Sequence, residues 1–325
     1  MPLRLLPWSP EYGTGMQFDA DDSAEGTARV DCTLEQRPWE AVTPSCAPPD
    51  VLQIVDGVRR AEAHAMDETA TGATVFGLFG SFAVGAVRCD GRARILDGEF
   101  QVERRYLQTG GEPVTREVVG GGATLRFHAE IPENAATAND LVAALNRMML
   151  AEEAKLAERL SRDESVLTFV DGPLRLRSPG HRVVGYIKRV HRWYVPAEQQ
   201  LLLTRLAVGE RTPLFRISEG SEQHETRDRI SWFLRLADLR RHYHPLAGVM
   251  RLEAPGMLPL PEAVRLADQS ALVLPGLASS PVRDPRSPQN LTPVGALEAA
   301  LTHRLGDRRW VGRLLTAAIE GEAAA

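Results

Sequence analysis

The sequence predicts an α/β fold, a mixed sheet flanked by helices. Three observations carry this reading: apolar runs that end in turn residues, one long amphipathic segment between two such runs, and two helical segments near the C-terminus.

Residues 1 to 48 carry scattered prolines and acids with no sustained period, so they read as an N-terminal extension lying on the surface or against a neighbour. From Asp50 the character changes. VLQIVDG is an apolar run closing on Asp56-Gly57, and GATVFGLF, AVGAVRC and ARILDGEFQVERRYL follow as further strands of one sheet. The stretch from Thr69 to Val87 is uncharged over 19 residues, long enough to weigh as a membrane span. Its Gly and Thr content favours buried strands.

In TANDLVAALNRMMLAEEAKLAERL, Thr137 stands three residues ahead of Asp140, the spacing of a capping box. Leu141, Leu145, Met149, Leu156 and Leu160 recur at helical spacing, which predicts an amphipathic helix packed on the sheet. ESVLTFVDGPL is a second apolar strand ending in Asp171-Gly172, and HRVVGYIKRV is another strand. QLLLTRLAVGE and TPLFRI read as a hairpin pair, with SWFLRLA and GVMRLEAP as additional strands. A helix is expected from about Pro261 to Val273, then a Pro- and Ser-rich loop, SSPVRDPRSPQN. Two closing helices follow, TPVGALEAALTHRLG and DRRWVGRLLTAAIEG.

The charge balance narrows the function classes. With 38 basic and 43 acidic residues the net charge is −5, so the whole molecule has no cationic field to collect nucleic acid unaided. Cys32, Cys46 and Cys89 form neither a CxxC pair nor a Cys/His ligand spacing, which points away from zinc and disulfides and toward a reducing cytoplasm. The start lacks a continuous apolar run of the secretory kind.

An Asp at the end of a buried strand, followed by Gly to let the chain turn, places a carboxylate at the sheet edge where open α/β folds keep their ligands. Asp56 and Asp171 both fit this description, while Asp97-Gly98 reads as an ordinary turn. On the helix, Glu152 lies about 60° and Glu153 about 40° from the Met149 direction, on opposite sides, so both border the buried face. Three converging carboxylates call for a divalent cation of the hard, oxygen-seeking kind, Mg²⁺ or Mn²⁺. Such a site suits phosphodiester cleavage. Between Gly172 and Pro196, Arg175, Arg177, Arg182, Lys188, Arg189 and Arg192 occur without an acid, a local candidate for holding phosphates.

The order of VLQIVDG, the long helix with its glutamates, LTFVDGPL, VVGYIKR and the C-terminal segment resembles the NurA nuclease family over about residues 50 to 320. That resemblance implies an RNase H-like domain, here 49–325, and Mn²⁺- or Mg²⁺-dependent DNA cleavage including 5′-end processing. It also implies a homodimer working with HerA, a hexameric DNA-translocating ATPase. The family's strand-end acids fall on Asp56 and Asp171, its helical Glu on Glu152 by spacing, and its Lys on Lys188. Arg189 beside it would share the DNA backbone. Where archaeal members carry Tyr and His near the C-terminus, this sequence has Asn290 and Glu298, so Glu298 becomes the fourth expected ligand, with His303 as a substitute. His242 and His244 have HxH spacing without a third ligand nearby and read as a surface loop. Trp8 and Trp39 are candidate docking aromatics for the ATPase. The rival reading is a non-catalytic dimeric cap that threads or regulates DNA on the ATPase ring; a phosphatase is disfavoured because no GxxxxGK[ST] loop is present.

Overall fold

In a computed structural model, the described residues are 4–5, 28–68, 72–175, 182–188, 192–218, 228–238, 243–280 and 288–324. The strands are β1 (Arg4–Leu5), β2 (Arg29–Asp31), β3 (Val51–Glu68), β4 (Thr74–Cys89), β5 (Ala93–Ile95), β6 (Gln101–Gln108), β7 (Arg116–Gly120) and β8 (Ala123–Glu130). After helix α1 (Ala138–Leu160) come β9 (Val166–Asp171), β10 (Val183–Ile187), α2 (Ala197–Leu203), β11 (Phe215–Ser218), β12 (Arg229–Arg235) and β13 (Val249–Pro255). Helices α3 (Leu260–Leu277), α4 (Thr292–Arg304) and α5 (Arg308–Ala324) close the chain.

The described strands form one mixed sheet in the order β2-β11-β12-β13-β10-β9-β3-β4-β6-β8-β7. Its centre, β6-β4-β3-β9-β10, joins three antiparallel strands to two that run parallel with β3, and α1 makes the connection from the antiparallel part to β9. This is the expected α/β architecture, a mixed sheet flanked by helices. The uncharged Thr69–Val87 stretch falls largely on β4, a strand with buried residues on both faces, as the Gly and Thr content predicted. Among the described residues no helix is long and apolar enough to cross a membrane.

Two layers of helices cover the sheet. Leu141, Leu145, Met149 and Leu156 of α1 pack on Val55, Phe82, Val84, Leu107 and Val170. The opposite face buries Leu52, Ile54, Phe169, Tyr186, Trp232 and Leu252 beneath Leu266 and Leu274 of α3 and Leu297 and Leu301 of α4. Helix α1 starts where predicted, with the Thr137 and Asp140 side chains each bonded to the other's backbone N–H.

Two local expectations are corrected. QLLLTRLAVGE is no hairpin strand: its first four residues end helix α2, since a short apolar run has no period by which strand and helix can be told apart. VLQIVDG does not end at Asp56-Gly57 either. Strand β3 runs on through Glu68, pairing with β4 along its whole length apart from a bulge at Glu62. Asp97-Gly98 forms a short 3₁₀ turn.

Within the segment read as an N-terminal extension, β2 adds to the sheet by pairing with β11. Glu35 there makes two hydrogen bonds to the buried Arg211, which also binds Asp268 of α3 at 2.7 Å. Trp39 is half-buried: its indole donates to the Gln199 carbonyl and its ring packs near Phe215, while the residue also lines a surface pocket with Cys32 and Pro38. Trp8 lies outside the described residues.

Candidate functional site

The parallel pairing of β3 with β9 stops at Val55 opposite Val170. Beyond that point β3 continues alongside β4, whereas β9 ends at Asp171 and turns away through Gly172, whose φ of +80° is open to glycine at little cost. Asp56 and Asp171 therefore stand one step past the last paired residues, side by side where the two strands separate. They follow Ile54 and Phe169 in the alternation of the strands and share the α4 face of the sheet. On that face also lie Tyr186 and, two residues on, Lys188, whose ammonium donates to Asp171 Oδ2 at 2.7 Å and sits 5.7 Å from the Tyr186 ring centroid.

The helical acid that joins them is Glu153, reaching from α1 on the other face. Its carboxylate lies against Gly57 so closely that a β-carbon there would be 2.4 Å from Oε1. Gly57 is thus a close-approach residue in the middle of a strand and not a turn residue. Glu152, selected by spacing, points aside and is bound to Lys155 at 2.6 Å. The correction follows from the helix's rotation: the 40° offset puts Glu153 on the buried flank, and only packing decides between the two flanks.

Glu298 of α4 completes the group from above the sheet, half-buried, its charge felt by Asp56, Tyr186 and Lys188. The end of α4 is held by arginines from the sheet. Arg60 donates to the Leu305 and Gly306 carbonyls and is paired with the buried Glu62 of the bulge, while Arg104 donates to the Leu305 carbonyl and to Ser81. Cations on a helix C-terminus are favourable and fix where the helix lies.

The electrostatics follow from crowding. Burial, then the Asp171 charge, pushes the Asp56 carboxyl well above the usual carboxylate range. Burial, followed by Asp56 and Asp171, does the same to Glu153. At Lys188 burial works to lower the pKa, but Asp171 and Asp56 outweigh it and hold the ammonium above its ordinary value. Asp56 Oδ2 is buried with no hydrogen-bond partner among the described residues. Among those residues, no three His, Cys, Asp or Glu side chains are already drawn up as a cage for an ion.

The other sequence candidates separate. Arg189, Arg177 and His242 lie outside the described residues. Arg182 sits at the far end of β10 from Lys188 and binds Gln269. His303 is exposed on α4, and His244 caps a 3₁₀ turn by accepting from the Leu246 N–H. Asn290 is buried just ahead of α4. Tyr186 and Glu153 are the two members of the group that the sequence reading did not choose. The Val-Asp-Gly run, with its glycine opposite the helix, held a signal for Glu153, and alternation from Val184 held one for Tyr186.

The family model of the NurA domain matches residues 103–297, more than half of the chain. The match takes in Glu153, Asp171, Tyr186 and Lys188, starts beyond β3 and stops one residue short of Glu298. No curated protein matches the chain.

Proposed function

Because the chain belongs to the NurA nuclease family, we propose that it is a divalent-metal-dependent DNA nuclease whose site is Asp56, Glu153, Asp171 and Glu298, with Lys188 binding the DNA backbone. The observation that supports this most is the crowding of carboxylates at the point where β3 and β9 part. Two of them, Asp56 and Glu153, are buried and each is disfavoured as an anion by the Asp171 charge, an arrangement that weakens the fold at high pH unless a cation neutralises it.

The donor set suits Mn²⁺ or Mg²⁺. It is made of oxygens alone, and it contains a buried carboxylate oxygen, Asp56 Oδ2, without a partner. Asp56, Glu153, Asp171 and Glu298 would hold one or two ions, which when bound polarise the scissile phosphate and lower the pKa of water. The chain's own residues do the rest. Glu153, pressed against Gly57, fixes one side of the site. Lys188 neutralises Asp171 and, at the edge of the group, is placed to exchange that partner for a phosphate oxygen. Backbone contacts of this kind bind DNA without regard to sequence and weaken with salt.

The family also carries the expectation of a homodimer acting in 5′-end processing during break repair beside a HerA-type hexameric ATPase in the cytoplasm. A net charge of −5 supports a division of labour in which the motor supplies much of the grip on DNA. The testing experiment is cleavage of end-labelled linear DNA with Mn²⁺, Mg²⁺ or EDTA, with and without the ATPase and ATP. Metal-dependent cleavage is expected. Its absence from folded protein under all conditions would replace the enzyme by the non-catalytic cap.

Gly57→Ala offers a finer test. The added methyl must displace the Glu153 carboxylate, a flexible chain end, so the fold is expected to survive while cleavage falls about tenfold or more. Unchanged cleavage by Gly57→Ala would show that Glu153 need not lie there.

A further inference from the structure

Tyr186 is fully buried at the centre of the acidic group, and its hydroxyl has no hydrogen-bond partner among the described residues. A phenol left so carries a desolvation penalty that a phenylalanine of the same shape would avoid. The surroundings are acceptors. Asp171, Asp56, Glu298 and Glu153 all act electrostatically on the phenol. Its place is set by the backbone: Tyr186 and Asp171 are register partners in adjacent parallel strands, and the Tyr186 carbonyl accepts from the Gly172 N–H at 3.0 Å. Both residues project toward α4, about 5 Å apart at the backbone. Lys188 on this face, a donor among the described residues, is already committed to Asp171 Oδ2.

Two orphaned polar atoms, the Tyr186 hydroxyl and Asp56 Oδ2, thus lie buried in one site. Resting on the metal-dependent reading above, we propose that Tyr186 is a positioning residue whose hydroxyl donates to the Asp56 carboxylate and orients it toward a bound divalent cation. A carboxylate holding a cation through one oxygen keeps the other as an acceptor, and a neutral donor beside it fixes its direction without competing as a charge. The aromatic ring has a separate duty in the core beneath α4, where it packs with Leu252 and Leu297.

Tyr186→Phe removes the oxygen and keeps the ring. Calorimetric titration with Mn²⁺ alone, of wild type, Tyr186→Phe and Asp56→Asn, combined with thermal melts in EDTA, tests the assignment. Tyr186→Phe is expected to bind Mn²⁺ about tenfold or more weakly, and to melt in EDTA no lower than wild type, because its lost hydroxyl had no partner. A purely structural role would lower the melting temperature instead, and that outcome overturns the proposal. Wild-type Mn²⁺ affinity in Tyr186→Phe overturns it while leaving the nuclease reading intact. Failure of the wild type itself to bind Mn²⁺ removes both.

Discussion

Asp56→Asn is expected to abolish DNA cleavage and, at the same time, to raise the thermal stability of the metal-free protein. The loss of activity comes from removing a buried carboxylate at the centre of the group, and a fall of at least about 10²–10³-fold is the scale for taking away one such contact with the reacting charge. The gain in stability has a linkage origin. Burial and neighbouring acids hold the folded-state pKa of Asp56 above the value of about 4 that it has in the unfolded chain. The folded state therefore binds protons more tightly than the unfolded state. Its stability from this source is fully present below the unfolded pKa and is lost as pH rises through the folded one. An asparagine has no charge to lose, so the variant is expected to melt a few degrees higher than wild type in EDTA near pH 8, with the difference shrinking toward pH 5. Melting curves across that range, beside a cleavage assay, check both halves. A variant that melts lower at pH 8 would mean the carboxylate is satisfied in the resting protein.

The second large effect distinguishes two adjacent residues. Glu153→Gln is expected to reduce cleavage by about 10²-fold or more, while Glu152→Gln is expected to retain activity close to wild type. Glu153 is enclosed between α1 and Gly57 with Asp56 and Asp171 acting on it. Glu152 is partly exposed and holds only the i,i+3 pair with Lys155, a surface contact contributing about 0.5 kcal/mol or less. Parallel rate measurements on the two purified variants decide the matter. Equal loss in both would point to a damaged helix, and loss in Glu152→Gln alone would restore the spacing-based choice.

Much of this was legible before any coordinates. Alternation and apolar runs located the strands that carry Asp56 and Asp171, and the capping box marked the first turn of α1. The family resemblance, drawn from the order of those runs, agrees with the NurA domain match. Other features were not legible because they are decided at a distance. Nothing local tells an Asp-Gly at a strand end from one in mid-strand; at Gly57 the reason for glycine is a side chain almost a hundred residues away in the sequence, on α1. The apolar run of α2 had no readable period. The Arg211 bonds that tie Glu35 to α3 join residues far apart in sequence.

By itself, then, the sequence determined which segments are strands and helices wherever a period of two or near 3.6 persists, because burial of one face imposes that period on any chain. It also placed Asp56 and Asp171 in two apolar runs on either side of a glutamate-bearing helix, the order from which the family resemblance was drawn. Only the tertiary structure decided which carboxylates meet. That choice depends on the rotation of α1 over the sheet, on the glycine that lets Glu153 approach, and on where β9 leaves β3, and each of these is set by packing between elements distant along the chain.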